Sequence, residues 1–149
     1  SGKKIAILGF AFKSNTNDTR ESASIMICKD LIDEGAILFI NDPKVKPSQI
    51  SLDLDKKENY HLKNIKDQHD FYQFEGQWCF EENIYKCSEG ADAIVVLTEW
   101  EEFSAINWED ISKKMRKPSW VFDSRSIVNQ EVISKTNLNF WRIGDGTIN

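Results

Sequence analysis

The sequence lacks the glycine-rich turns that cradle phosphates in the common nucleotide folds. After the apolar run Ile5-Ala6-Ile7-Leu8 a single glycine, Gly9, opens the next loop, so neither GxGxxG nor GxxxxGK[ST] occurs there. There is no CxxC pair and there are only two histidines, His61 and His69, which predicts no metal site. The three cysteines, Cys28, Cys79 and Cys87, are odd in number and irregularly spaced, and no signal-peptide pattern opens the chain. They predict free thiols in a cytoplasmic protein rather than a disulfide framework. No apolar run approaches the ~20 residues of a membrane helix. Excess positive charge is missing too. A net charge of −5 excludes a general nucleic-acid surface and an anionic-membrane partner, so an anion site must be built locally from a few placed cations. Internal repeats and low-complexity segments are absent.

What is present fits an ordinary soluble domain spanning residues 1–149, 40% hydrophobic and 29% charged. A chain of this length buries roughly 70% of its unfolded surface, enough for a real core. It enters a core strand directly after Ser1-Gly2, which predicts a domain of a longer protein with Ser1-Gly2 as an expression scar. A helix is expected from about Thr19 to Glu34, with Asp18 as N-cap, Glu21 completing a capping box, and Ile25, Cys28 and Ile32 at helical spacing. Gly35 caps it, and a second strand runs from Ala36 to Asn41, stopped by Asp42-Pro43. One helix between two apolar runs is a βαβ unit with parallel strands.

The stretch from Pro43 to Gln77 is polar, with Tyr60, Phe71, Tyr72 and Phe74 expected as a satellite cluster. Beyond it the pattern predicts a helix over Trp78–Glu89 and a strand over Ala91–Leu97, apolar enough to be covered on both faces. Short helices follow at Glu101–Phe103 and Asn107–Arg116, then a strand at Trp120–Phe122, a helix at Glu131–Lys135 and a last strand at Asn139–Ile143. The fold class is therefore α/β: a doubly wound, mainly parallel, Rossmann-like sheet in three layers, with a surface excursion at about 44–77.

Four strand ends carry polar clusters: Lys13 to Asp18, Asp42-Pro43, Thr98-Glu99-Trp100 and Asp123-Ser124-Arg125. In a parallel sheet all of them open on the edge where α/β folds bind ligands. Lys13 and Arg125 suit a diphosphate, lysine as a point charge and arginine by its planar fork. The alternative is that Arg125 pairs with Asp123 or Glu99 and braces loops. Asp42 stands near the place of a ribose-binding acid, but lies farther past Gly9 than the usual ~20 residues. Before Pro43 it fits a turn former, while Glu99 fits a helix cap and Trp100 the core.

The stretches GFAFKSNTNDTRES (9–22), NDPKV (41–45), LTEWEEF (97–103) and KKMRKPSWVFDSRSI (113–127) together closely resemble the C-terminal UDP-binding domain of the UDP-glucose 6-dehydrogenases. These belong to the UDP-glucose/GDP-mannose dehydrogenase family, and the resemblance covers nearly the whole chain except about 49–77. It implies a domain that binds UDP-glucose within an enzyme oxidising the sugar to UDP-glucuronate with NAD. By the same resemblance Phe12, Lys13 and Arg125 match substrate-binding positions, and Arg20 matches an arginine on the NAD side of the cleft. Ser124 replaces the family's usual glycine before the arginine, which puts the loop geometry in question.

The family's N-terminal GxGxxG domain, its Gly-Gly-Ser-Cys segment and its central dimer-forming helix have no counterpart here. No residue of this chain is therefore expected to be catalytic, and the chain alone is expected to be inactive. Its expected partners are the missing N-terminal and central domains, with a homo-oligomer at full length. The other readings are the same domain from a dehydrogenase of another nucleotide sugar, and a stand-alone nucleotide-binding or assembly module.

Overall fold

Six short runs, most of them apolar, pair into one sheet. The computed structural model describes residues 2–11, 19 and 22–142. Its strands are β1 (Lys4–Leu8), β2 (Ile37–Asn41), β3 (Trp78–Phe80), β4 (Ala93–Val96), β5 (Trp120–Asp123) and β6 (Asn139–Arg142). They lie in the order β3-β2-β1-β4-β5-β6, and every neighbouring pair is parallel. The order reverses between β1 and β4. Right-handed crossovers then place the helices of the two halves on opposite faces.

The first half carries α1 (Ala23–Asp33) and α2 (Pro47–Leu54), which pack against each other. The second carries α3 (Ile84–Ser88), α4 (Glu101–Ser104), α5 (Trp108–Lys114) and α6 (Gln130–Ser134), with α5 touching both α3 and α6. In β1 and β2 nearly every side chain is buried, as a sheet covered on both faces requires. Coverage thins toward β6. In the register row Val95–Phe122–Trp141 the indole of Trp141 remains 38% exposed.

Three details differ from what the sequence suggests, and the excursion carries the local order that a connection of its length calls for. The helix expected from Thr19 starts at Ala23, because Ser22 has extended backbone and is the N-cap. Its Oγ accepts from the Ser24 N–H at 3.0 Å and donates to the Phe10 carbonyl at 2.9 Å, tying the helix start to the loop after β1. The expected cap Asp18 and its partner Glu21 lie outside the described residues.

The helix expected over Trp78–Glu89 is instead a strand followed by a helix. Trp78–Phe80 pairs with Leu38–Ile40, and Asn83 caps α3 by accepting from the Tyr85 and Lys86 N–H groups. The excursion is largely ordered. Pro47 opens α2, whose Ile50 and Leu54 are buried, and 3-10 turns at Tyr60–Asn64 and Gln68–Phe74 bury Leu62 and Phe71. Phe71 meets Phe39 edge-on at 6.1 Å and so joins the main core rather than a satellite, whereas Tyr60 and Tyr72 are exposed.

All three cysteines are free and buried. Desolvation raises each thiol pKa, that of Cys87 to about 12, and the Cys87 thiol donates to the Phe39 carbonyl at 3.1 Å. The native protein should therefore fail to react with Ellman's reagent at pH 8 on the minute timescale, and the three thiols should react at once in denaturant. A fast-reacting thiol in the native state would show that one of these sites opens.

Candidate functional site

The carboxyl edge of the sheet is held together by one carboxylate. Asp42 directly follows β2 and is only 3% exposed. Its Oδ2 accepts from the Phe10 N–H at 2.8 Å, the Ala11 N–H at 3.1 Å and the Trp100 indole Nε1–H at 3.1 Å. Its Oδ1 accepts from the Lys44 and Val45 N–H groups at 2.8 and 2.9 Å. Asp42 is thus a turn former, as its place before Pro43 suggests. It also clamps the loops after β1 and β4 to its own. Trp100 is core, as expected, but its indole N–H spends its one donor on this clamp.

Two further contacts tighten the switch point between β1 and β4. The Thr98 hydroxyl donates to the Ala11 carbonyl at 2.9 Å. Gly9 adopts φ +98°, and a Cβ there would stand 2.4 Å from the Thr98 Cβ. Only glycine lets the two strand ends approach this closely.

The loop after β5 is built the same way. Asp123 is fully buried; its Oδ1 accepts from the Arg125 N–H at 2.9 Å and its Oδ2 from the Val128 N–H at 2.8 Å. Arg142 lies 3.6 Å from Asp123 Oδ2 and also donates to the Val128 carbonyl. The left-handed residue of this loop is Ser126, at φ +60°. Ser124 needs no positive φ, and its hydroxyl donates to the Val96 carbonyl at 2.7 Å. A serine at this position is therefore compatible with the turn.

Arg125 itself reaches across to the loop after β4. Its Nε donates to the Leu97 carbonyl at 3.0 Å, and its Nη1 lies 3.8 Å from Glu99 Oε2. Glu99 is not the cap of α4; Trp100 holds that position. The structure thus brings Asp42, Thr98, Glu99, Trp100 and Arg125 to one edge. Of the residues expected to meet a ligand, Phe12, Lys13 and Arg20 lie outside the described residues.

A nicotinamide dinucleotide does not fit this sheet at the place where a Rossmann fold would hold it. The turn after β1 has one glycine and leads to a serine cap at Ser22, not to a glycine-rich helix start. The acid after β2, which would receive a ribose hydroxyl, has both oxygens occupied by five protein donors. What the edge offers is a half-exposed guanidinium beside a preorganised loop, which suits an anionic group.

Comparison with known proteins finds matches over most of the chain. Residues 6–130 match the family model described as UDP-glucose/GDP-mannose dehydrogenase family, UDP binding domain. The UDP-glucose 6-dehydrogenase of Gallus gallus is 46% identical over 127 residues, covering 85% of this chain and 24% of that protein. UDP-glucose 6-dehydrogenase 4 of Oryza sativa subsp. japonica is 38% identical over 149 residues, covering 97% of this chain and 30% of that protein. The chain thus spans about a quarter to a third of these relatives' length. Among solved structures, the UDP-D-ManNAc dehydrogenase of Pyrococcus horikoshii superposes over 97% of this chain and 26% of its own, with TM-score 0.65 and 27% identity.

Removing the clamp should be costly. Asp42→Ala leaves buried donors without an acceptor and should destabilise the protein by about 3–5 kcal/mol in urea unfolding. Asp42→Asn keeps one acceptor edge and should cost about 2–3 kcal/mol. A loss below about 1 kcal/mol for Asp42→Ala would show that the loops hold without it.

Proposed function

The chain belongs to the UDP-glucose/GDP-mannose dehydrogenase family as its UDP-binding domain, and from that membership we propose that it holds the UDP part of UDP-glucose within a longer NAD-dependent dehydrogenase. The observation that carries this reading is the convergence of four strand ends on one edge, with Arg125 set beside the loop that Asp42 holds. In the proposal Arg125 meets the diphosphate, together with Lys13. Phe12 and Lys13 belong to the loop after Gly9, where a substrate would pass between β1 and β4. The same proposal assigns Arg20 to the NAD. None of these groups does the chemistry. The nucleophile and the nicotinamide cofactor belong to the rest of the longer chain, which also supplies the oligomer contacts.

Support for this division comes from the site itself. No described residue at this edge is a thiol: Cys28, Cys79 and Cys87 are buried with raised pKa, so none is a ready nucleophile. The purified chain alone should therefore form no NADH from UDP-glucose and NAD, because cofactor, nucleophile and substrate are not held together. Measurable NADH from a preparation free of host dehydrogenase would overturn this.

Arg125 separates ligand binding from loop bracing. In the full-length enzyme Arg125→Ala should weaken UDP-glucose binding about 10- to 150-fold by calorimetry, the worth of a charge-assisted hydrogen bond. It should leave NAD affinity less affected. Arg125→Lys should recover part of the loss, since it keeps the charge without the fork. If Arg125 only braces its loop through Leu97 and Glu99, Arg125→Ala lowers thermal stability and harms both ligands alike. Turnover of UDP-glucose against GDP-mannose and UDP-N-acetylmannosamine by the same enzyme decides the sugar.

A further inference from the structure

A second cationic concavity lies at the other edge of the sheet. Between the 3-10 turns and the C-terminal ends of α3 and α5 is a cavity of about 760 Å³. Five lysines line it: Lys4, Lys63, Lys66, Lys86 and Lys114, against two glutamates, Glu81 and Glu89. In a chain of net charge −5 this is a local reversal of sign. Among the described residues none of the five lies within ion-pair distance of a carboxylate.

Lys4 is the base of the cavity. It opens β1 and is 5% exposed. Its ammonium donates to the carbonyls of Glu89 at 2.6 Å and Lys86 at 3.4 Å, and stands 3.8 Å from the Phe39 ring centre. These partners position the charge without neutralising it. Desolvation lowers its pKa, a cost that a bound anion would offset. The floor is apolar, made by the buried Phe39, Leu62 and Phe71. Solvated lysines on a plain surface would need no such floor, and the volume lies in the roughly 300–1,000 Å³ range of small-molecule sites.

We propose that this cavity binds a phosphorylated small molecule, its phosphates met by Lys63, Lys66, Lys86 and Lys114 over Lys4. Most of the lining lies at the amino end of the sheet: the length of β1, ~13 Å at ~3.3 Å per residue, separates Lys4 from the loop at Gly9, and Glu81, directly after β3, is the lining residue that reaches toward the carboxyl side. Binding here does not depend on what the carboxyl edge binds.

The test is calorimetric titration of the full-length protein with inorganic tripolyphosphate at low salt, with and without saturating UDP. A dissociation constant below about 1 mM, unchanged by UDP, is expected. Lys63→Ala combined with Lys66→Ala should weaken it at least about tenfold, two charge-assisted contacts being worth more than that. Both side chains are exposed, so the fold should survive, and Lys114→Ala gives an independent check. Lys113→Ala, an exposed lysine outside the cavity that pairs with Glu109, should leave tripolyphosphate affinity unchanged. Absence of binding, loss of binding on adding UDP, or equal affinity in the folded lysine variants would overturn the proposal.

Discussion

One buried carboxylate sets the geometry of the sheet's carboxyl edge. A carboxylate taken from water is tolerated only when its lone pairs are met, and Asp42 meets this condition with four main-chain N–H groups and one indole. The donors come from three separate loops, so satisfying the charge and fixing the edge are the same event. The loop after β1 cannot shift without taking two of the five donors from Asp42. Gly9 and Thr98 add a steric lock at the same place, where a single methyl group would collide. Charge-assisted bonds of this kind are worth about 1.5–3 kcal/mol each, and this is why they outweigh the modest helical propensity of the flanking short elements.

Asp123 repeats the device on the other side of the switch point. It orders the turn that presents Arg125, and Arg142 from β6 answers its charge. The guanidinium of Arg125 is then aimed by its own Nε bond to Leu97. Bracing and recognition are compatible here. An arginine already fixed by one bond loses less rotamer freedom when it meets an anion. Glu99, 3.8 Å away, holds that place with a weak, half-exposed pair that a stronger anion can displace.

The sequence made β1, β2, β4 and β5 legible because each is an apolar run ended by a polar cluster. Their parallel order followed from the helices between them. β3 was not legible: Trp78–Phe80 is three residues long, and the caps and charges after it suit a helix. Nor was α2, a mostly polar helix that buries only Ile50 and Leu54. α1 starts four residues later than local patterning suggests, because Ser22 is bonded to the Phe10 carbonyl twelve residues earlier and takes the cap. The role of Asp42 was half legible. Asp-Pro after a strand announces a turn, but the bonds to Phe10, Ala11 and Trp100 join residues 31 to 58 positions apart, beyond any local pattern. An acid abutting a fully buried strand was the available signal, since such a charge must find several donors.

If the edge clamped by Asp42 is the UDP site, a crystal structure of the protein with UDP will show it. The diphosphate should lie at the carboxyl ends of β1, β4 and β5, within about 3 Å of the Arg125 guanidinium, with the five Asp42 bonds intact. UDP bound away from this edge, or bound here with Arg125 still turned to Glu99 and no contact to phosphate, would contradict that assignment.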